Sequence, residues 1–251
     1  MPVSRAVLVT GGSRGIGRAV AQAFAAAGDR VAVHYWRSEG QAARTLDGLP
    51  GDGHLAVRAD LADPEQTLRA VDAAAAGLGG LDVLVNNAGV FLAHPPTGTT
   101  YLDWQQAWAA TLAVNLQAAA NCTFCAVPHL IAAGGGAVVN VSSRGAFRGE
   151  PNAPAYAASK AGLNAFGQSM AVALAGHGIS VSTVAPGFVQ TDMAREALDG
   201  PGGDAVRAQS PFGRVARPEE VATAVLWLAS PEARFSSGTI VDVNGASYLR
   251  S

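Results

Sequence analysis

The stretch AVLVTGGSRGIG, residues 6–17, is the part of the sequence that decides the fold. A short apolar run enters a glycine-rich turn, after which helix-forming residues continue to about position 27. Glycines let the backbone approach a pyrophosphate, and a helix that starts there offers free N–H groups and a partial positive charge. The segment predicts a dinucleotide-binding loop, although the spacing Gly11-x-x-x-Gly15-x-Gly17 differs from the common G-x-G-x-x-G and a purely structural turn is the alternative. The loop residues expected at the cofactor are Gly11, Ser13, Arg14, Gly15, Ile16 and Gly17.

Outward from this loop, β-branched runs alternate with Ala-rich segments of helical length. The predicted strands are residues 6–10, 30–35, 54–59, 81–86, 137–143, 179–185 and 239–243. The predicted helices are residues 15–27, 39–48, 64–78, 102–133, 154–175, 189–198 and 218–229. Such alternation predicts an α/β protein with a single Rossmann-like, doubly wound parallel sheet of about seven strands and helices on both faces. No shift in composition divides residues 1–251, so one domain is expected.

Composition excludes several classes of protein. Hydrophobic residues make up 49% and charged residues 14% of the chain, and the formal net charge is −2 without clusters of Lys or Arg. Nucleic-acid and membrane-surface partners are therefore not expected. The sequence shows neither a signal peptide nor an apolar run of about 18 residues, so the expected location is the cytoplasm.

No metal site is expected from the cysteines and histidines. Cys122 and Cys125 lie in an Ala-rich helical segment without a second pair, which favours burial in the core over metal binding. The five histidines lack the H-E-x-x-H spacing of a helical zinc site.

The end of the second predicted strand indicates which dinucleotide binds. NAD sites of this fold place an acidic residue there for the ribose hydroxyls, whereas this chain has HYWRSEG at residues 34–40. Arg37 together with Arg14 offers two guanidinium groups for a 2′-phosphate, so NADP(H) is favoured and NAD(H) is possible. Arg37 as a solvated surface charge is the alternative, and Glu39 lies close to it in sequence.

The end of the third strand offers a further cofactor contact. Asp60, followed by Leu61, can accept a hydrogen bond from the adenine amino group, or can instead cap the helix that begins near Pro64.

Four motifs in order carry a resemblance to a known family. They are TGGSRGIG at 10–17, NNAG at 86–89, the series Ser143, Tyr156 and Lys160, and APG at 185–187. Together they resemble the short-chain dehydrogenase/reductase family, and the resemblance extends from Ala6 to about Tyr248.

The resemblance implies a catalytic set of four residues, namely Asn115, Ser143, Tyr156 and Lys160. Ser142 competes with Ser143, but the family places the catalytic serine thirteen residues before the tyrosine. Tyr156 and Lys160 are four positions apart, on one face of the predicted helix. Lys160 is expected to lower the tyrosine pKa and to hold the nicotinamide ribose, while Ser143 polarises the substrate carbonyl. Asn115 is expected to hold a water that links Lys160 to solvent.

The same resemblance places two further groups at the cofactor. Asn87, Ala88 and Gly89 are expected against the adenosine ribose, with Asn86 in a structural role. The nicotinamide is expected to meet Pro186, Gly187, Val189 and Thr191. A helix N-cap is the alternative for Thr191.

The implied activity is an NADPH-dependent reductase of ketones, most similar to 3-oxoacyl-(acyl carrier protein) reductases. The alternatives are an NAD-dependent secondary alcohol or sugar dehydrogenase, a non-catalytic NADP sensor, and a structural subunit. Two Gly/Pro-rich segments, residues 91–100 and 199–206, are either surface loops or substrate lids. Apolar residues expected along the substrate pocket are Phe91, Leu92, Phe147, Phe188 and Met193. The NGASYLR segment at 244–250 departs from the family's DGG pattern and leaves the substrate open, and the resemblance implies a homotetramer.

Overall fold

The computed structural model describes residues 4–250 and contains one seven-stranded parallel sheet of order β3-β2-β1-β4-β5-β6-β7. The strands are β1 (Ala6–Val9), β2 (Arg30–Tyr35), β3 (Leu55–Arg58), β4 (Val83–Asn86), β5 (Gly136–Val141), β6 (Ile179–Pro186) and β7 (Ile240–Val243). Helices cover both faces, so the doubly wound α/β fold expected from the sequence is confirmed. The strand order reverses between β1 and β4, and ligands of such sheets bind in the crevice at that point.

Ten α-helices connect these strands within residues 4–250. They are α1 (Gly15–Ala26), α2 (Glu39–Asp47), α3 (Pro64–Leu78), α4 (Tyr101–Leu112), α5 (Ala118–Ala132), α6 (Gly145–Arg148), α7 (Pro154–Leu174), α8 (Arg195–Asp199), α9 (Gly203–Arg207) and α10 (Pro218–Leu228). Most predicted boundaries agree with these to within one or two residues.

Two apolar clusters fill the space between the sheet and its helices. Val7 and Val9 of β1 face one cluster, which includes Phe24 of α1, and Ala6 and Leu8 face the other. Alternate residues of a strand point to opposite faces, so a strand buried on both sides is apolar throughout. This burial holds the carboxyl ends of the strands rigidly, and the loops there carry the candidate site.

The predicted helix over 189–198 is wrong in its first part. Val189 forms a β-bridge with Ala216, and helical structure starts only with a 3₁₀ turn at Asp192–Ala194 that leads into α8. Residues 199–206, expected as a surface loop or a substrate lid, include the start of α9. The misplaced helix lies in the segment after β6, where glycines and short elements carry little periodic signal.

The longest continuous helical segment is Tyr101–Ala132, which joins α4 to α5 through a π-helical stretch at Ala113–Gln117. By length and composition it could cross a membrane. It packs against α3, α7 and the sheet, and Cys122 is buried in that contact. Burial raises the pKa of the Cys122 thiol to about 12, so the thiol is held protonated and acts as an apolar core group.

Candidate active site and cofactor cleft

The turn between β1 and α1 has a backbone that requires glycine. Gly11 and Gly15 adopt φ values of +61° and +54°, in the left-handed region. A Cβ at Gly17 would overlap the Gly11 carbonyl oxygen. The close approach of α1 to its own loop therefore depends on these residues, as expected for a loop that brings backbone N–H groups near a ligand.

The N-terminus of α1 is open to an anion. Its N-cap residue, Arg14, makes no side-chain cap hydrogen bond, and no acidic residue lies in the first turn. The first N–H groups of a helix lack intrahelical partners and carry the positive end of the helix dipole. The donor set fits the pyrophosphate of a dinucleotide.

His34 of β2 accepts a hydrogen bond from this loop, and the sequence analysis did not identify it. Its Nδ1 accepts the Gly11 N–H at 3.0 Å, and its Nε2 lies 3.1 Å from the Ala59 carbonyl oxygen. Burial lowers the pKa of the imidazole to about 4, so the ring is neutral and Nε2 carries the hydrogen. The available signal was a histidine near the end of the second predicted strand, in an otherwise apolar run.

The NNAG segment holds the next strand end to the glycine loop. Asn86 is buried and donates to Asn140 and Thr123 at 2.9 and 3.0 Å, in the structural role expected of it. The Asn87 amide donates to the carbonyl oxygens of Thr10 and Gly11, and the Asn87 and Ala88 N–H groups bond the Thr10 hydroxyl. The ends of β1 and β4 therefore form one rigid wall of the crevice.

Two residues that were predicted to contact the cofactor, Arg37 and Asp60, lie just after β2 and β3. The Arg37 guanidinium lies over the Trp36 ring, 3.6 Å from its centroid, on the exposed surface. Asp60 is not the helix cap: it accepts from the Ala62 N–H at 3.0 Å, whereas Asp63 caps α3. The capping alternative for Asp60 is therefore wrong, because the cap position lies one residue before Pro64.

Tyr156 lies in the first turn of α7 and points into the crevice beside an aromatic neighbour. The Phe91 ring meets the Tyr156 ring edge-on at 5.1 Å between centroids. Burial raises the pKa of the phenol to about 12, while the nearby Ser143 hydroxyl acts in the opposite direction and Glu150 adds to the rise. At neutral pH the phenol therefore holds its proton.

Lys160 is one turn further along α7, with its Nζ 5.8 Å from the centre of the Tyr156 ring. The amine is buried and donates to the Val141 carbonyl oxygen at 2.8 Å. Burial lowers its pKa to about 8. Burial is the largest cause of the shift at Tyr156 and the cause of the shift at Lys160, and the expectation that Lys160 lowers the tyrosine pKa stays a prediction.

Asn115 lies in the π-helical stretch, a feature often found at functional sites. Its side chain accepts from the Val90 N–H at 2.8 Å and donates to the Val90 carbonyl and the Ser159 hydroxyl. Gly89 lies between it and the lysine: a Cβ there would be 3.3 Å from Asn115 Oδ1 and 3.5 Å from Lys160 Nζ. The fold thus brings Asn115, Gly89 and Lys160 together.

The segment after β6 closes the crevice from the other side. A Cβ at Gly15 would touch the Thr191 methyl group at 3.2 Å, so this segment meets the glycine loop. Thr191 occupies the N-cap position of the 3₁₀ turn at Asp192–Ala194 but makes no side-chain cap hydrogen bond, and its hydroxyl donates to the Val189 carbonyl oxygen at 3.3 Å. Pro186 ends β6 and Gly187 packs against Asn244.

His94, which the sequence analysis also did not identify, connects the 91–100 segment to α7 by a hydrogen bond. It is 1% exposed, its Nε2 accepts the Ala155 N–H at 3.1 Å, and its Nδ1 lies 2.7 Å from the Leu92 carbonyl oxygen. The Trp104 ring packs edge-on against the imidazole at 5.4 Å. His94 therefore anchors the 91–100 segment beside α7, while Phe91 and Leu92 remain exposed, and the choice between surface loop and substrate lid stays open.

Comparison with known proteins gives close agreement over the whole chain. Residues 11–246 match the family described as enoyl-(acyl carrier protein) reductase. D-threitol dehydrogenase of Mycolicibacterium smegmatis is 37% identical over 98% of this chain and 94% of its own. A 3-oxoacyl-[acyl-carrier-protein] reductase of Staphylococcus aureus is 34% identical over 99% and 100%. Cis-4-hydroxycyclohexanecarboxylate dehydrogenase of Sinomonas cyclohexanicum is 40% identical over 96% and 95%.

Solved structures show the same fold. A short chain dehydrogenase from Burkholderia cenocepacia in complex with NADP superposes with a TM-score of 0.88 at 38% identity, covering 97% of each chain. A 3-ketoacyl-(acyl-carrier-protein) reductase from Brucella melitensis complexed with NADH gives 0.87 at 28% identity, covering 98% of each. The crevice described above therefore has counterparts in structures that hold either dinucleotide.

Proposed function

The chain belongs to the short-chain dehydrogenase/reductase family and is an NAD(P)-dependent oxidoreductase, and from this premise we propose that it reduces a ketone with NADPH. The observation that carries the proposal is the half-buried Tyr156 phenol, protonated at neutral pH, beside Ser143 and one helical turn from Lys160. A reductase needs a proton donor at the carbonyl oxygen, and a protonated phenol held at this position can supply that proton.

The protein's groups divide the work as follows. NADPH, when bound, supplies the hydride. The open N-terminus of α1 would hold its pyrophosphate, and Arg14 and Arg37 would hold the 2′-phosphate. Asn87, Ala88 and Gly89 would line the adenosine ribose, and Pro186, Gly187, Val189 and Thr191 would line the nicotinamide.

At the carbonyl, Ser143 donates a hydrogen bond that polarises the C=O bond, and Tyr156 transfers its proton to the oxygen as negative charge develops there. The Lys160 amine lies close enough to stabilise the phenolate left behind. The Asn115 side chain is fixed by hydrogen bonds to Val90 and Ser159. It keeps the polar groups next to Lys160 in place, so that the lysine can regain a proton from solvent.

A second candidate is oxidation of a secondary alcohol in a polyol with NAD, favoured by the 37% identity to D-threitol dehydrogenase. The two activities use the same residues in opposite directions, so cofactor preference distinguishes them.

Location and assembly belong to the proposal as well. We place the enzyme in the cytoplasm as a homotetramer. In its four-helix contact, each of two subunits contributes the continuous α4–α5 segment and α7. Phe124 of α5 and Val172 of α7 are 80% and 83% exposed, and apolar side chains so exposed favour contact with a second copy.

The test is consumption of NADPH by the purified protein with β-keto esters, β-keto thioesters, diketones, quinones and a cyclic keto acid. NADH, and D-threitol with NAD⁺, are run in parallel. Turnover that requires NADPH and Tyr156 supports the proposal. Turnover of D-threitol with NAD⁺ alone favours the second candidate, and the absence of ketone reduction across the panel overturns the first.

A further inference from the structure

A cavity of about 390 Å³ is bordered by the residue that follows Ser143, by α9 and by the residues after β7. Its wall combines Arg144 and Phe188 with Val206 and Ser210 from the segment after α8, and with Asn244 and Ser247 near the C-terminus. Arg144 directly follows Ser143, and consecutive Cα atoms are about 3.8 Å apart. One residue of the cavity wall is therefore the chain neighbour of the serine at which the substrate carbonyl is proposed to bind.

The Arg144 guanidinium is 4% exposed and held in one position by neutral groups. Nη1 donates to the Ser247 hydroxyl at 2.6 Å, Nη2 donates to the Gln209 side-chain oxygen at 2.5 Å, and the group lies 5.0 Å from the centre of the Phe188 ring. Guanidinium has five N–H donors, so two bonds leave donors for a ligand in the cavity.

The acidic residues in the cavity wall are already paired with other arginines. Glu220 binds Arg214 at 2.6 Å, and Asp242 binds Arg250 at 2.7 Å. Across residues 4–250, Arg144 has no carboxylate within 4.0 Å. Of the two arginines in the cavity wall, Arg214 is paired with Glu220, and Arg144 has no carboxylate counterion among the described residues.

Glu150 is the acid that influences Arg144 most. It packs on Gly145 and raises the pKa of Arg144, but burial, the largest cause, lowers that pKa and Arg148 adds to the decrease. The Glu150 carboxyl is itself half-buried, and burial raises its own pKa. Glu150 therefore offsets only part of the cost of burying the cation.

A buried cation without a paired anion is costly, and a planar guanidinium matches a carboxylate or phosphate through two parallel hydrogen bonds. We propose that Arg144 binds an anionic group of the substrate, a carboxylate or a phosphate, placed a few atoms from the carbonyl that is reduced. The inference rests on the proposed reductase activity and specifies its substrate class. In this arrangement the substrate carbonyl binds at Ser143 and the carboxylate or phosphate binds at Arg144. Two consecutive residues therefore set the distance between the carbonyl and the anionic group.

The experiment compares 4-oxopentanoate, 5-oxohexanoate and 6-oxoheptanoate with their neutral methyl esters, each with NADPH. At the best chain length, wild type is expected to prefer the acid, and Arg144→Met to lose about 10- to 100-fold in kcat/KM on the acid and less than about 3-fold on the ester. Activity on the ester shows that the variant is folded. Arg144→Lys, which keeps the charge without the planar fork, is expected to lie between the two.

Arg148→Met is the matched control, because Arg148 is exposed and donates to the same Gln209 oxygen at 3.1 Å. Equal losses on acid and ester in Arg144→Met, an equal loss in Arg148→Met, or no preference of wild type for the acid at any length would overturn the proposal. Calorimetric titration of the same acids into protein with NADP⁺ separates the two hypotheses. Acid binding that depends on Arg144 without turnover keeps the anion site and rejects the reductase, whereas ester turnover without acid preference does the reverse.

Phosphate is distinguished from carboxylate by competition. Inorganic phosphate and acetate are each added to the ester assay, and the anion that inhibits wild type but not Arg144→Met identifies the preferred group. Inhibition that is the same in both proteins argues against the site.

Discussion

The imidazole of His94 accepts a hydrogen bond from the backbone N–H of Ala155, at 3.1 Å, immediately before Tyr156, the proposed proton donor. The same histidine bonds the Leu92 carbonyl, one residue after Phe91, whose ring contacts Tyr156. One buried side chain therefore sets the relative position of the phenol and of an apolar wall of the pocket.

His94→Phe is expected to lower kcat roughly 10- to 100-fold, because small displacements of a proton donor are costly. His94→Gln, which keeps an acceptor near Ala155, is expected to recover part of that loss. The Kd for NADPH should stay within about 3-fold in both, since His94 lies away from the glycine loop. A fall in kcat that the glutamine does not relieve would show that packing, not the hydrogen bond, is what matters.

Tyr156→Phe is expected to reduce turnover by roughly 100- to 10,000-fold through loss of the proton donor. NADPH affinity, measured by fluorescence titration, should be nearly unchanged because the ring and its contact with Phe91 remain. A variant that keeps most of its activity would refute the assigned role.

The rate of reduction is expected to fall as the pH rises through about 8. The Lys160 pKa is lowered from 10.5 to about 8, so the ammonium is present below that pH and the neutral amine above it. The check is a profile of log kcat/KM against pH with a ketone and NADPH. Lys160→Arg, although slower, should move this limb to higher pH, and a wild-type profile that is flat to pH 10 contradicts the assignment.

Arg37→Ala is expected to weaken NADPH about 10-fold or more and NADH hardly at all, since the guanidinium is proposed to meet the 2′-phosphate. Arg44→Ala, in the last turn of α2, is the control for loss of one nearby charge. The measurement is the Kd of each dinucleotide, and equal losses for both would remove Arg37 from the phosphate site.

Stability is expected to fall by about 3 kcal/mol between pH 6.5 and pH 4 because of His34. The unfolded histidine binds a proton below about pH 6.5, whereas the folded one does so only below about 4, so the unfolded state gains protons first and the contribution is fully present above pH 6.5. Urea unfolding of wild type and His34→Gln across this range measures it. Parallel pH dependence in the two proteins would exclude His34 as the source.

Local sequence was sufficient for the fold and for the candidates at the site. The strand, glycine turn and helix at 6–17, and the alternation after them, depend on neighbours in the chain, and the structure reproduces them. Where the local signal was weak, as between Val189 and Arg207, the predicted helix was placed wrongly. The order of motifs also identified the family, which the relatives confirm.

Other features depend on contacts between distant parts of the chain. The bond between His94 and Ala155 spans 61 residues, and the contact between His34 and Gly11 spans 23. The direction of the Tyr156 pKa shift depends on burial by the surrounding elements, which its spacing from Lys160 does not show. Sequence alone therefore determined which chemical groups the site contains and on which elements they lie. Only the tertiary structure decided which groups are buried, paired or left without a counterion, because desolvation and hydrogen bonding depend on neighbours that folding brings together.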